Sequence, residues 1–336
     1  MQKYNIVIYG LTEAALVCAN SAHKTYPDKS IALVFPESDN KFYQLLAENL
    51  ASNSNNQITL LKRKITGREA TNLILDDNEI ISFDKLVIAT GSSPVKPNIE
   101  GIDKEGVYLI DKDIQSINRI KRLALKCEKI VVFGGGYIGV EFTDELLREG
   151  KSVILIERSN RLLPSSFDSE ISLSAQKIIE GQGGKVILNE KVKEVIGNDR
   201  IEAVKLRSGE IISCDFLMIS SGSRPNVEVA EKLKIVFDYD RGILIDDYFR
   251  TSDKDIFAIG DCAAKFDFFR GDLCGFLMQS IKLQEAELVG SNLFSVIYNR
   301  GKLSHYLTNQ KRLLGRLKNP ENEYEKSHLY LRQLQS

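Results

Sequence analysis

Apolar residues cluster in short runs that alternate with longer amphipathic stretches along the chain. The short runs are rich in Ile, Val and Leu and predict buried parallel strands. They lie at residues 4–10, 30–35, 85–90, 129–134, 152–157, 214–220 and 255–259. The amphipathic stretches predict helices near residues 12–25, 111–126, 136–149, 168–183 and 279–298. This alternation is typical of an α/β fold with parallel sheets.

The order of predicted elements occurs twice. A strand, a Gly-rich turn, a helix, a second strand, a β insertion and a strand ending in glycine run from Asn5 to Gly91, and again from Lys129 to Gly222. The insertions at residues 57–84 and 186–213 carry shorter β runs and predict small antiparallel sheets. The repeat predicts two Rossmann-like dinucleotide-binding domains of three-layer ββα type, each with a small antiparallel β insertion.

The second repeat carries a complete G-x-G-x-x-G turn between a predicted strand and a predicted helix. Gly134 allows the tight turn, Gly136 lets the backbone approach a pyrophosphate, and Gly139 lets the helix pack closely on the strand. The helix then offers free N–H groups to phosphates. Glu157 ends the next strand, where an acid meets the ribose 2′-hydroxyl of NAD and repels the 2′-phosphate of NADP. Arg158 offsets part of that repulsion, and the pattern predicts NAD over NADP.

The first repeat opens with a degraded turn that reads G-x-T-x-x-A. Gly10 fits the first position, and Ala15 is acceptable at the third because helix–strand packing tolerates a methyl group. Thr12 places a Cβ where the backbone and a pyrophosphate would approach each other. The following strand lacks an acid at its end, and Glu37 comes two residues after Phe35. This repeat therefore supports dinucleotide binding less strongly than the second one does.

Length and charge narrow the classes of function. A chain of 336 residues fits about two domains. Its net charge of −1 argues against a nucleic-acid partner, which would need a basic face. Nothing approaches the ~18 consecutive apolar residues of a membrane span. The N-terminus runs directly into a strand and shows no secretion signal.

The cysteines indicate a reducing compartment. Their number is odd and they form no close pair, which is typical of free thiols and predicts a cytoplasmic location. A metal or iron–sulfur site needs clustered ligands, so no metal is expected. The five cysteines are Cys18, Cys127, Cys214, Cys262 and Cys274.

Three further motifs resemble signatures of the FAD- and NAD-linked pyridine nucleotide-disulfide oxidoreductase family. LVIATGSSP at residues 86–94 is similar to its ATG signature, and GSRPN at 222–226 is similar to the G-x-x-P-N motif that closes its NAD domain. TS at 251–252 with DIFAIGD at 255–261 resembles its second FAD signature. These motifs and the 134–157 unit stand in family order. The chain is identified as a member, most similar to NADH oxidases and to ferredoxin or rubredoxin reductases.

The resemblance implies FAD and NAD(H) as cofactors and gives roles to matched residues. Tyr137 would sit over the flavin face and move when nicotinamide enters, and Glu141 would lie near the nicotinamide. These two are the expected catalytic residues, and an ordinary surface pair is the alternative for them. Asp261 would hold the ribityl chain of FAD, or simply cap the following turn. The remaining expected cofactor-binding residues are Gly10, Thr12, Ala15, Glu37, Thr90, Gly91 and Gly260 in the FAD domain, and Gly134, Gly136, Tyr137, Ile138, Gly139, Glu157, Arg158 and Gly222 in the NAD domain.

The redox cysteines of the family are missing. Disulfide reductases carry a cysteine pair after the second strand of the FAD domain, and members that handle peroxide or CoA-disulfide carry one cysteine there. The corresponding residues 39–50 hold none, so a thiolate nucleophile has no candidate in this segment. Phe42 and Tyr43 match in part the aromatic pair of ferredoxin and rubredoxin reductases. Cys262 directly follows Asp261 and is interpreted as a small packed residue.

The motif order predicts four segments. Residues 1–112 and 241–299 form the two parts of an FAD-binding domain, and residues 113–240 form an NAD-binding domain inserted between them. Residues 300–336 form a basic C-terminal tail, with eight Lys and Arg against three Glu, where the family has an interface domain. The tail is interpreted either as a helix packed on its own domain or as a docking element for an acidic electron carrier or another subunit.

The leading hypothesis is a cytoplasmic NADH-dependent FAD oxidoreductase. Its electrons would pass to an acceptor other than a disulfide: an iron–sulfur or rubredoxin-type protein, a quinone or oxygen. One alternative is a non-catalytic or regulatory nucleotide-binding subunit of a redox complex, suggested by Thr12 and the missing interface domain. The least favoured alternative is a thiol-disulfide reductase that uses Cys262 and Cys274.

Overall fold

The computed structural model describes most of the chain before residue 295. The predicted tail at 300–336, the end of the predicted helix at 279–298 and the first residues of the 39–50 segment lie outside the described residues. Within the part that is described, no helix combines the length and apolar character needed to cross a bilayer. The described residues are 1–37, 41–55, 57–110, 114–164, 167–267, 272–274 and 279–294.

The described residues form two compact units. Unit 1 comprises residues 1–92 together with the described residues from 224 onward, and unit 2 comprises residues 93–223. Unit 1 opens with β1 (Gln2–Tyr9), α1 (Glu13–Thr25), β2 (Ile31–Phe35), α2 (Lys41–Ser52), β3 (Ile58–Lys62), β4 (Ile65–Glu69), β5 (Asn72–Leu75) and β6 (Ile80–Ile88), and β7 (Ser92–Pro94) lies at the first boundary.

The elements of the second half follow in chain order. Unit 2 contains β8 (Val107–Leu109), α3 (Ile114–Ala124), β9 (Lys129–Phe133), α4 (Tyr137–Arg148), β10 (Ser152–Ile156), α5 (Ser169–Gly181), β11 (Lys185–Ile187), β12 (Val192–Ile196), β13 (Ala203–Leu206), β14 (Ile211–Ser213) and β15 (Phe216–Ile219). After β16 (Ser223–Pro225) at the second boundary, unit 1 resumes with α6 (Glu228–Leu233), β17 (Phe237–Asp238), β18 (Gly242–Leu244), β19 (Ile256–Ala258), a 3-10 turn (Gly260–Cys262), β20 (Ala263–Asp267), β21 (Asp272–Cys274) and α7 (Gln279–Asn292).

Unit 1 is built on a mainly parallel sheet. β3, β2, β1 and β6 run parallel in that order, and the end of β6 also pairs in parallel with β19. The start of β6 pairs instead with the antiparallel hairpin of β4 and β5. Ile6 and Ile8 pack with α1, α2 and α7, while Val7 and Tyr9 pack with α6 on the other face. Coverage on both faces explains the nearly continuous apolar strands.

Unit 2 repeats the plan. β11, β10, β9, β15 and β8 form a fully parallel sheet in that order, and β12, β13 and β14 form a separate antiparallel sheet. Ile130 and Val132 of β9 pack in the same cluster as α3, α4 and α5. Val131 and Phe133 pack in the cluster of the antiparallel sheet. The alternation of side chains along β9 therefore supplies both layers of core.

The α/β class with two Rossmann-like units is confirmed, with corrections to the insertions. The first strand of each predicted insertion, β3 within 57–84 and β11 beside 186–213, joins the parallel sheet by pairing with the preceding strand. Only the strands after it are antiparallel. An apolar run does not indicate whether a strand pairs in parallel or antiparallel, because the direction depends on the strand that it pairs with.

The unit boundaries also differ from the predicted ones at residues 112 and 240. β8 pairs with β15, so the chain from 93 to 110 lies with unit 2. Helix α6 packs in the same core cluster as β4 and β5, so residues 224–240 lie with unit 1. Both structural boundaries therefore come earlier in the chain than the motifs suggested.

Candidate functional site

The glycine turn of unit 2 has the geometry of a phosphate cradle. Gly134 has φ +115°, and a Cβ there would stand 2.1 Å from the carbonyl oxygen of Ser220. A Cβ on Gly139 would stand 1.9 Å from the carbonyl oxygen of Gly134, so α4 approaches β9 more closely than any side chain permits. A Cβ on Gly136 would have no atom within 4 Å. Gly136 is the N-cap of α4 and makes no side-chain cap, and helix starts of this kind present backbone N–H groups to anions.

Glu157 lies directly beside this turn. Its side chain is 5% exposed, and its carboxylate accepts hydrogen bonds from the N–H of Gly135 at 2.6 Å and the N–H of Ser159 at 2.8 Å. A Cβ on Gly135 would stand 3.0 Å from Cβ of Glu157 and 2.6 Å from a methyl of Leu162. Glycine is therefore required at position 135 for the Glu157 side chain to lie over the turn. Arg158 is exposed.

The first turn of α4 carries the two residues expected to be catalytic. Tyr137 and Glu141 are one helical turn apart and partly buried, next to Ile138. Burial raises the pKa of Glu141 to about 7, and the carboxylates of Glu145 and Asp144 add to the rise. Burial also raises the pKa of Tyr137 to about 12, with a further contribution from Glu141. A carboxyl group that titrates near neutrality is the kind found at functional sites.

The turn of unit 1 keeps its shape despite the threonine. Gly10 has φ +130°, and a Cβ there would stand 2.2 Å from the carbonyl oxygen of Ala89. Thr12 is the N-cap of α1, and its hydroxyl accepts from the N–H of Ala15 at 3.2 Å and donates to the carbonyl oxygen of Ala89 at 3.0 Å. Ala15 is fully buried, as its packing role requires. The Thr12 hydroxyl is thus bonded within the protein. Glu37 is exposed, two residues beyond β2.

Two of the family motifs meet within unit 1. The hydroxyl of Thr90 donates to the carbonyl oxygen of Asn226 at 2.6 Å, and the Asn226 amide donates back to the carbonyl oxygen of Thr90 at 2.9 Å. The backbone N–H of Asn226 also donates to the carbonyl oxygen of Gly91 at 2.9 Å. Gly222, which opens the G-x-x-P-N motif, has φ +96° and belongs to unit 2.

Asp261 lies in a buried group of charges. Its carboxylate pairs with the ammonium of Lys282 at 2.5 Å, and the two side chains are 11% and 7% exposed. The hydroxyl of Ser92 donates to the other Asp261 oxygen at 3.3 Å. Beside this pair, Lys265 contacts Glu285 at 2.6 Å and donates to the carbonyl oxygen of Gly260 at 2.8 Å. Gly260, with φ +72°, begins the 3-10 turn that carries Asp261.

The cysteines of the described residues do not form an accessible relay. Cys18, Cys127, Cys214 and Cys262 are all buried free thiols. The thiol of Cys262 lies 3.2 Å from the carbonyl oxygen of Ile259, and burial raises its pKa. A thiol with a raised pKa is a poor nucleophile. Only the backbone of Cys274 is described, in β21. Among the described residues, no group of three or more potential ligands could hold a metal ion.

Several residues of these sites were not singled out from the sequence. Gly135 occupies a variable position of the G-x-G-x-x-G motif, so its own role could not be recognised within the run of three glycines. Lys282 and Glu285 lie on α7, where Glu285 shares a face with the buried Ile281 and Val289. A charged residue within an apolar stripe at four-residue spacing is a signal of buried charge, although it does not name the partner.

Two α/β units, each with a glycine turn between its first parallel strand and its first helix, define a protein that binds two dinucleotides. The chain belongs to the pyridine nucleotide-disulphide oxidoreductase family, whose model matches residues 4–285. FAD and NAD(H) are the cofactors of this family.

Individual relatives support the same family. The chain is 30% identical over 224 residues to an NADH oxidase of Methanocaldococcus jannaschii, covering 66% of this chain and 49% of the relative. It is 27% identical over 271 residues to a rubredoxin-NAD(+) reductase of Pseudomonas putida, covering 80% and 69%. The chain thus spans about half the length of the first relative and more of the second.

A solved structure shares the fold. The water-forming NADH oxidase from Lactobacillus brevis, bound to NADH, superposes with a TM-score of 0.73 at 23% identity, covering 87% of this chain and 69% of the oxidase. At this identity the likeness concerns the fold.

The residues present fit both cofactors. In unit 2, the open space at Gly136 and the uncapped start of α4 suit a pyrophosphate, and Glu157 suits a ribose. In unit 1, the Gly10 turn is intact, and Thr12 is accommodated with its hydroxyl turned towards Ala89. Asp261, which directly precedes the buried Cys262, has a side chain that is 11% exposed.

Proposed function

We propose that this chain is an NADH-dependent FAD oxidoreductase whose electrons leave to an acceptor other than a disulfide. The acceptor class is an iron–sulfur or rubredoxin-type protein, a quinone or oxygen. The observation that carries the proposal is the intact cradle of unit 2, in which Gly134, Gly136 and Gly139 shape the turn and Glu157 closes it.

The chain's own residues would divide the work. The N-terminus of α4 would bind the NADH pyrophosphate, and Glu157 would accept from the adenosine ribose and disfavour NADPH. Gly10, Ala15, Thr90, Gly91 and Asp261 would hold FAD, which when bound accepts hydride and releases single electrons. Tyr137 and Glu141 would act at the nicotinamide. Glu141, whose pKa is raised to about 7, would change the local charge there by gaining or losing a proton.

The choice of acceptor rests on the thiols and the relatives. The four cysteines whose side chains are described are buried, so none of these four is offered to a disulfide. One relative is named an NADH oxidase and another a rubredoxin-NAD(+) reductase, which supports oxygen and a rubredoxin-type carrier. Docking of an acidic carrier on the basic tail at 300–336 stays a prediction, since the tail lies outside the described residues. The cytoplasmic location also stays a prediction.

Anaerobic titration of the purified protein with NADH tests the proposal. The protein is expected to carry the visible absorbance band of oxidised flavin, and NADH is expected to bleach it in a stoichiometric step. Candidate acceptors added afterwards should restore the band, and the fastest one identifies the acceptor class. A colourless protein that cannot be reconstituted with FAD would exclude this function.

The second candidate is a non-catalytic nucleotide-binding subunit of a redox complex. It is favoured by one observation: Thr12 caps α1 and occupies the N–H of Ala15, which in an open cradle would face a phosphate. Such a subunit would bind NADH in unit 2 but would show no turnover with artificial acceptors. Sustained turnover by the isolated chain therefore distinguishes the two candidates.

A further inference from the structure

Four charged side chains meet in the interior of unit 1. Asp261 pairs with Lys282 at 2.5 Å, and Glu285 pairs with Lys265 at 2.6 Å. Their side chains are between 1% and 11% exposed, so water screens neither pair effectively. Lys282 and Glu285 are three residues apart on α7, which places both pairs on the same stretch of helix.

Burial of these groups has a cost that stability alone does not explain. Taking two charges out of water is expensive, and a buried ion pair is often replaceable by apolar residues without loss of stability. The core cluster between α1 and α7 is otherwise apolar and includes Ala15, Ala22 and Ala286, so the two helices also pack through uncharged residues. The pairs are therefore better explained by what they hold in place.

The two lysines fix the backbone and side chain of one short turn. Lys265 donates to the carbonyl oxygen of Gly260, and Lys282 contacts the Asp261 carboxylate. Ser92 donates to the second oxygen of that carboxylate at 3.3 Å. The Asp261 carboxylate is thereby held as an acceptor in one orientation, at the turn that follows β19.

We propose that Lys282 is the positioning residue for Asp261 in FAD binding. This inference rests on the proposed function, because it assumes that unit 1 takes FAD and that Asp261 accepts a hydrogen bond from it. Without the ammonium, the carboxylate would lose the 2.5 Å contact that fixes its orientation. It would then no longer be an oriented acceptor, and FAD would bind less tightly.

The experiment compares FAD dissociation constants, measured by flavin fluorescence, in the full-length chain. Lys282→Met is expected to weaken FAD binding about tenfold or more, as expected for one partner of a buried charged pair. Lys282→Arg is expected to restore binding to within about threefold of the wild type, because it retains the charge. Lys232→Met, on the exposed face of α6, is the matched control and should leave FAD binding unchanged.

A double variant separates positioning from general damage. If Lys282 acts through Asp261, Asp261→Asn with Lys282→Met should bind FAD no more weakly than Asp261→Asn alone. NADH binding to unit 2, measured by calorimetry in the same variants, should not change. Thermal melting of the same variants reveals one in which unit 1 has failed to fold.

The outcomes distinguish this inference from the proposed function. Wild-type affinity in Lys282→Met, or additive losses in the double variant, would overturn the positioning role while leaving the oxidoreductase intact. Tighter binding in Lys282→Met would also overturn it, since it would show that the lysine competes with FAD for Asp261. A wild-type chain that takes no FAD would overturn both.

Discussion

The hydroxyl of Thr12 donates to the carbonyl oxygen of Ala89 while accepting from the N–H of Ala15. One side chain therefore caps α1 and ties its start to the end of β6. In the second repeat, Gly136 occupies the equivalent position and makes neither bond. The two turns share a backbone shape but differ at the start of the helix: in unit 1 the Thr12 hydroxyl accepts from the N–H of Ala15, whereas in unit 2 no side chain caps α4.

Replacing Thr12 by valine is expected to destabilise unit 1 by about 0.5–2 kcal/mol, the usual cost of a lost N-cap. Thr12→Ser retains the hydroxyl and should stay close to the wild type. Urea unfolding of the two variants provides the measurement. Equal stability of Thr12→Val and Thr12→Ser would show that the cap contributes nothing.

An added methyl group is expected to lower stability at one glycine of unit 2 and to weaken NADH binding at another. Gly139→Ala places a Cβ against the carbonyl oxygen of Gly134 and is expected to lower stability by about 1–3 kcal/mol. Gly136→Ala meets no atom within 4 Å and should melt like the wild type, yet bind NADH more weakly because the methyl group occupies ligand space. Thermal melting and calorimetric NADH titration of both variants test this pair. A Gly136→Ala variant with unchanged NADH affinity would contradict the cradle.

Glu157 is expected to set the choice between NADH and NADPH. Glu157→Ala removes a buried carboxylate and should weaken NADH binding about tenfold, the range for a hydrogen bond to a charged group. NADPH binding should improve relative to NADH because the repulsion of the 2′-phosphate is lost. Calorimetry with both nucleotides measures the ratio. Glu210→Ala, on the exposed hairpin of the same unit, serves as the control, and an equal change in it would refute a specific role.

The raised pKa of Glu141 predicts a pH dependence of stability. Between its usual value of 4.5 and about 7, the folded chain keeps a proton on Glu141 that the unfolded chain has lost. Unfolding therefore releases a proton in this window, and the free energy of unfolding falls as the pH rises. Glu141→Gln should match the wild type at pH values below this window. Above pH 7 it should be more stable, on the order of 1 kcal/mol after solvent screening.

Thermal melting between acid and mildly alkaline pH tests this expectation. Glu149→Gln, exposed after the end of the same helix, provides the control and should follow the wild type throughout. A constant difference between Glu141→Gln and the wild type across the range would show that Glu141 titrates at an ordinary pKa.

The buried thiols are expected to be unreactive in the native protein. Burial raises the pKa of Cys18 and of Cys214 to about 12, and it also raises that of Cys262. In a Cys274→Ser variant, Ellman's reagent should therefore label no thiol rapidly before denaturant is added, and all four afterwards. A fast-reacting thiol in that variant would show that one of these four cysteines is accessible in the native protein.

The sequence was informative where local backbone geometry decides the structure. Gly134 and Gly139 could be recognised because the tight turn and the close helix leave no room for a side chain. The ion pair of Asp261 and Lys282 could not, since it joins residues brought together only by the packing of α7. Helix α2 was also missed. Its apolar residues Leu45 and Leu46 are 64% and 39% exposed, so they obscure the amphipathic period.

Thr90 and Asn226 exchange hydrogen bonds immediately before and after the inserted unit. The chain therefore leaves unit 1 and re-enters it at neighbouring positions, and residues 93–223 form one continuous insertion. Joining such neighbouring ends directly has a small entropic cost. If the proposed function holds, a nicotinamide-binding module with a different nucleotide preference could thus be exchanged at residues 93–223.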